Sequence, residues 1–249
     1  MAIILGGGLI VAGLAAWQVA ASAKVINPFL TSSPWLIVKS LGHQLASGAL
    51  PHSVAISALE FLVGFVISAV AGVSVGMLMG RYRYVEYAMD PYVWLLYSSP
   101  IVALFPLMVL IFGLGHTTVV AITVSISIVP IIVNSAQGVR NVDSNLIQTA
   151  KSFGASESAI LRKVIFPASV PTVAAGLRLG MGRALVGVVI GEFFAGDGGI
   201  GFDVSYFAGQ LQTTDVMAAV FVVVLAGVLL NLLARRLEKL ADSWRSDLS

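Results

Sequence analysis

Four ionisable side chains, Glu60, Arg178, Arg183 and Glu192, are embedded in long apolar runs. An ionisable group in hydrocarbon costs on the order of 2.5–3.5 kcal/mol on insertion scales, so it tends to face a cavity or a partner. At about 1.5 Å of rise per residue, Arg183 falls roughly 16 Å from one end of its helix, near the middle of a bilayer, and Glu60 roughly 9 Å in from the opposite face. Their long side chains can then meet. One reading is structural: a buried ion pair, or a water-facing charge that orients helices. The other is chemical, with Arg183 as an attractive point for an anionic solute moving along a pathway. Arg178 and Glu192 lie nearer the two interfaces and can snorkel. A further motif, "GDGGIG" at 196–201, satisfies G-x-G-x-x-G. That fingerprint binds dinucleotides only between the strand and helix of a βαβ unit; here it follows a long apolar segment and is expected to be a flexible external turn. No G-x-x-x-x-G-K-[ST] loop occurs in the chain, so none is present to cradle nucleotide phosphates. With no cysteine there is no thiol nucleophile, disulfide or Cys-based metal site.

Composition dictates the elements that must position these groups. Of 249 residues, 58% are hydrophobic and 10% charged, against about 25% charged in a soluble domain. Several apolar runs approach the roughly 20 residues that span a bilayer. The chain therefore reads as an all-α membrane protein of about six spans, near 3–23, 54–80, 93–113, 119–136, 173–194 and 216–234. The first run is expected to be a retained helix: "ASA" before Lys24 resembles a cleavage site, but no positive charge precedes the apolar residues. Arg81, Arg83, Arg140, Lys151, Arg162, Lys163, Arg235, Arg236, Lys239 and Arg245 fall on one side of this arrangement, and only Lys24 and Lys39 on the other. By the positive-inside tendency both termini are cytoplasmic, and the loops 25–53, 114–118 and 195–215 face outward with His43, His52 and His116. In the external segment 24–53, Pro34 followed by Trp35, Val38, Leu41 and Leu45 predicts a short amphipathic helix at the interface. No repeat or low-complexity linker divides the chain, so 1–249 is read as a single membrane domain. A net charge of +2 is too small and scattered to suggest a nucleic-acid partner.

Small residues and prolines carry their own expectations. Gly176 and Gly180, Gly187 and Gly191, and Gly64, Gly72, Gly76 and Gly80 recur at spacings that allow close helix approach. Pro100, Pro106 and Pro130 interrupt spans, and kinks at such positions can line a cavity.

The segment 138–171 stands apart because it is charged and twice punctuated. Asp143 can cap a helix whose Leu146, Ile147, Ala150 and Phe153 share a face, and Gly154 suits the left-handed position that ends it. Ser156 then caps a second helix, Glu157 favours its positive end, and Ile160, Leu161, Val164 and Ile165 repeat at helical spacing before Pro167 stops it. The product is a helix, sharp turn and helix with more apolar residues than a solvated loop needs. Either a partner packs on it or it packs on the chain's own helix ends.

This run resembles the "EAA" loop of bacterial ABC-importer permeases, with Ala150, Gly154, Ala155 and Pro167 where that pattern places its Ala, Gly, Ala and Pro. Gln148 and Thr149 stand where the family usually has Glu and Ala, and Phe166 replaces the common Leu. Trp17 with "NPF" at 27–29, "GFVISAVAGVSVGMLMG" at 64–80, "SPIVALFPL" at 99–107 and "GLRLGMGRAL" at 176–185 resemble the nitrate, sulfonate and taurine branch, and extend the likeness over nearly the whole chain. The resemblance implies a type I ABC importer permease fold in the bacterial inner membrane, with a cytoplasmic coupling helix between spans 4 and 5. It implies that Gln148, Ala150, Gly154, Ala155, Ser156, Glu157, Ile160, Leu161 and Lys163 meet a cytoplasmic ATPase dimer. It also implies a second permease chain in a homodimer, a periplasmic or lipid-anchored solute-binding protein, and no cofactor, ATP being bound by the partner subunit. The pathway residues expected are Glu60 and Arg183, and the solute a small anion such as a sulfonate, taurine, nitrate or a carboxylate. Two rivals fit less well. An ion-driven carrier would show paired inverted halves, and an intramembrane enzyme would gather acids and histidines at membrane depth.

Overall fold

The computed structural model describes residues 2–23 and 31–246, which are helical almost throughout. In chain order the elements are α1 (Ala2–Ser22), α2 (Pro34–Ala46), α3 (Ala49–Arg81), α4 (Arg83–Ser98), α5 (Ile101–Phe112), α6 (His116–Arg140), α7 (Ser144–Ser152), α8 (Glu157–Ile160), a π-helical turn (Leu161–Ile165), α9 (Phe166–Ala195), α10 (Ile200–Gly209) and α11 (Thr213–Ser246). Lys24 and the "NPF" at 27–29 lie outside the described residues.

Four segments are long and apolar enough to cross a membrane: Ala49–Arg81, His116–Arg140, Glu157–Ala195 and Thr213–Arg236. The span expected at 93–113 is instead broken. Helices α4 and α5 meet at 104°, because Pro100 cannot donate a helical hydrogen bond and drives Ser99 into extended backbone at ψ 132°. Pro106 and Pro130 stay inside α5 and α6.

Helix α6 is the centre, packed between α3 and α9. Association of helices in lipid lacks a hydrophobic drive and rests on close packing of small residues; the expected glycine rows supply it on both flanks. On α3, a Cβ at Gly64 would meet Thr123 at 2.6 Å, one at Gly76 the Ile132 carbonyl at 2.5 Å, and one at Gly80 the Ala136 carbonyl at 2.6 Å. On α9, a Cβ at Gly180 would meet Ile131 at 2.5 Å and one at Gly187 the Thr123 Cα at 2.8 Å. Between them the buried hydroxyls of Ser68 and Ser127 join α3 to α6 at 2.7 Å.

The amphipathic helix expected after Pro34 is present as α2, with Ser33 as its N-cap. Its inward face is partly polar: Ser40 and Gln44 both donate to Asp215 at the start of α11, at 2.5 and 3.2 Å. Trp35, Val38 and Leu45 point outward.

Gly76→Val is expected to destabilise the bundle by about 1–3 kcal/mol through overpacking against the α6 backbone. Gly182→Ala, whose Cβ would meet nothing within 4 Å, is the matched control. Thermal unfolding of both variants in detergent checks this; equal midpoints would show that the close approach is dispensable.

Candidate functional site

The central loop forms as a capped pair of helices. Asp143 accepts the Asn145 amide at 2.8 Å to start α7. The helix closes with Gly154 at φ +75°, the Ala155 amide donating to the Ala150 carbonyl at 3.0 Å and the Gly154 amide to Lys151 at 2.9 Å. Such a paired closure needs a left-handed residue, which glycine takes without strain. Ser156 then accepts the Ala159 amide at 3.3 Å and opens α8.

Pro167 does not stop this second helix. The chain widens into the π-helical turn, where the Phe166 amide reaches back to the Leu161 carbonyl, and continues into α9. The wide turn takes up the disruption that the proline ring and its missing amide hydrogen impose on α-helical bonding. The run from Glu157 to Ala195 is therefore one long element, and its start is not a separate helix.

The loop also packs largely on its own chain. Ile160 and Ile165 are buried against Val139 at the end of α6, with Ile147, Ala150, Ala155, Leu161 and Val164 around them. Ile160, expected at a partner surface, is buried beneath the loop, while Leu161 is half-buried at its edge. Gln148, Gly154, Ser156, Glu157 and Lys163 are exposed, and Ala150 and Ala155 half-buried. Phe153 is 86% and Leu146 52% exposed, at the outer tip of the apolar face that the spacing predicts for α7. Glu157 pairs with Arg81 at the end of α3 and lies 3.8 Å from Lys151, while Arg140 and Glu86 join α6 to α4 at 2.9 Å. The loop is thus fastened to the ends of α3 and α6.

Arg183 and Glu60 do not meet. Glu60 lies against His116 and Glu192, and Glu192 stands nine residues beyond Arg183 on α9, a rise of about 14 Å. Arg183 instead lines a cavity of about 430 Å³ at the α4–α5 break, together with Tyr97, Ser99, Ser125 and Pro130. On the other flank of α9 it lines a second cavity of about 550 Å³ with Arg178 and with Asn231 of α11. Among the described residues no hydrogen bond or ion pair holds Arg183. The arrangement offers an exposed cation beside hydroxyls, which suits an anionic or strongly polar molecule.

At the opposite end from the central loop, side chains remote in sequence converge. Glu60 of α3, His116 of α6, Glu192 of α9 and Asp197 lie together: His116 Nδ1 is 2.6 Å from Glu60 and its Nε2 3.8 Å from Asp197. Sequence reading placed the histidine externally and the acids apart; only their similar depth from the helix ends pointed to the meeting. The "GDGGIG" turn, expected to be flexible, is bound at two points. Ile200 donates to Ser57 at 2.9 Å and Gly201 to Glu192 at 2.6 Å. It leads into α10, a helix not expected from sequence. There Asp203, outside the long spans, has its pKa pushed up by burial, with Ser53 and His52 opposing the shift.

Residues 68–246 match the family model described as binding-protein-dependent transport system inner membrane component. The chain is similar to the taurine transport system permease protein TauC of Escherichia coli, 29% identical over 98% of this chain and 91% of that protein. It is similar also to the riboflavin transport system permease protein RibX of Chloroflexus aurantiacus, 30% identical over 92% of this chain and 86% of that protein. Its fold resembles the solved MetNI methionine ABC transporter in an inward-facing conformation, with a TM-score of 0.62 at 18% identity, covering 87% of this chain and 99% of the other.

A β-branched residue in the left-handed region is strained by about 1–2 kcal/mol or more. Gly154→Val is therefore expected to loosen the α7–α8 turn while leaving the spans inserted. Amide hydrogen exchange over 144–160 should accelerate, with exchange in α6 unchanged. Unaltered protection across the loop would show that the turn does not depend on glycine.

Proposed function

Because the chain belongs to the family of binding-protein-dependent transport system inner membrane components and is the permease subunit of an ABC importer, we propose that it carries a small anion, drawn along its pathway by Arg183. The observation that supports this reading is a mid-helix arginine with no hydrogen bond or ion pair among the described residues, lining a cavity at the proline break between α4 and α5. A guanidinium fork matches planar or tetrahedral oxyanions such as a carboxylate or a sulfonate, and a taurine permease is among the relatives.

The permease makes and breaks no bond. Two such chains would form the pathway, with two ATPase subunits on the cytoplasmic side and a solute-binding protein docking outside. Both termini and the central loop would then be cytoplasmic. Closure of the ATPases on ATP would push on the exposed face of the loop, formed by Leu146, Gln148, Phe153 and Gly154 with Ser156, Glu157 and Lys163 beside it. Ile160, Leu161, Ala150 and Ala155 would pass that push to α6 and α9. The whole of 1–249 is read as this single membrane domain.

Transport by vesicles holding the permease, its ATPase and its binding protein tests the solute assignment. Arg183→Gln should lower taurine or alkylsulfonate uptake about tenfold or more, the loss of one charge-assisted hydrogen bond, with complex assembly unchanged. Undiminished sulfonate uptake, or uptake of riboflavin instead, would overturn it.

The docking assignment has a separate check. Phe153→Glu is expected to abolish co-purification of the ATPase while the permease reaches the membrane at its usual level. Full retention of the ATPase would move the docking face elsewhere.

A further inference from the structure

Glu60 and Glu192 are buried, at 2% and 0% exposure. Of their four carboxyl oxygens, Glu60 Oε1 faces His116 Nδ1 at 2.6 Å and Glu192 Oε2 accepts the Gly201 amide at 2.6 Å. The remaining two, Glu60 Oε2 and Glu192 Oε1, are buried without a hydrogen-bond partner, and the Ser57 hydroxyl stands beside the Glu192 carboxyl. They belong to carboxyls that lie within hydrogen-bonding reach of one another. Two facing carboxylates in a dry site repel, and each orphaned oxygen forfeits its hydration. One proton between them turns both orphans into a single strong O–H···O bond.

The surrounding charges leave that proton as the natural occupant. The other ionisable groups near the pair are His116 from α6 and Asp197 from the turn, with His52 of α3 and Asp203 of α10 beyond. No lysine or arginine pairs with either carboxyl among the described residues. Nor, among them, is any group of three His, Asp or Glu side chains arranged to hold a metal ion.

We infer that Glu60 and Glu192 form a proton-binding site whose single shared proton latches the 196–201 turn onto α3 and α6. Glu192 is the hinge of that latch. Its Oε2 holds the Gly201 amide, while Ser57 of α3 holds the neighbouring Ile200 amide. The Gly115 amide, next to His116, donates to the Ala195 carbonyl at 2.7 Å. Removing the proton leaves two facing carboxylates, and their repulsion swings Glu192 off the turn. In the orientation proposed above this end faces outward, so external alkalinity would loosen the permease mouth.

Infrared difference spectroscopy of the full-length chain in lipid nanodiscs reads the proton directly. A carboxylic-acid carbonyl band is expected at neutral pH, bleached on alkalinisation, and absent in both Glu60→Gln and Glu192→Gln. No such band at neutral pH, or a band that persists in both variants, would overturn the assignment. The latch has its own readout: the chain has no cysteine, so a spin label at Asp197→Cys reports the turn alone. Its mobility should rise over the pH range in which the band bleaches. In a Glu192→Gln background, where the amide donates to Glu60 without needing a proton, it should stay constant. Mobility indifferent to the bleaching, or equally pH-sensitive in both backgrounds, would refute the latch.

Discussion

The backbone of α6 has glycine backbones pressed against it from both sides. A Cβ on Gly76 or Gly80 of α3 would run into α6 carbonyls, and one on Gly187 of α9 into an α6 Cα. In lipid the van der Waals contact and interhelical hydrogen bonding gained at such range are what bind helices at all. Three helices are thereby fixed at a separation that side chains alone would not permit. Everything else in the molecule is hung on this triple: α10 and α11 pack on α9, α4 and α5 on α6, and α2 on α11.

So rigid a centre leaves few places where the chain can depart from regular helix, and the departures fall where function is expected. Pro100 opens the α4–α5 corner beside Arg183, and Pro167 sits against the π-helical turn that joins the central loop to α9. In each case proline withdraws a backbone donor, and the bundle answers differently: by bending through 104° in one, by adding a residue to the turn in the other. Pro130 shows the contrast. Sandwiched between α3 and α9, α6 continues through it as one helix, and the Pro130 carbonyl is taken by the Asn134 side chain at 2.8 Å.

Features that depend on neighbouring residues were legible in the sequence. The caps at Asp143 and Ser156 and the turn at Gly154 follow from local hydrogen bonding, and the glycine rows from periodicity. What depends on partners far along the chain was not. Nothing around Glu60 shows that His116 and Glu192, rather than Arg183, are its partners, because helix rotation and register decide that. The burial of Ile160 on the chain's own α6 was not legible, because apolar periodicity does not say whether the partner is another protein or the chain itself. The continuation past Pro167 depends on a widened turn for which no composition rule exists, and α10 begins at a glycine instead of a side-chain cap. The solute was the least legible of all, since a single arginine names a charge and not a molecule.

The unbroken run from Glu157 to Ala195, 39 residues, has a mechanical consequence. At about 1.5 Å per residue it is a rod of roughly 58 Å, with the central loop at one tip, Glu192 at the other, and Arg183 part way along. Pivoting about its middle on the α6 contacts, such a lever moves each tip by about 0.5 Å per degree of tilt, on half that length. A side-chain hydrogen bond fails beyond about 3.5 Å, so a rotation of only a few degrees at the inner tip suffices to make or break contacts at the outer one. The two mouths of the pathway are in this sense opposite arms of a single beam.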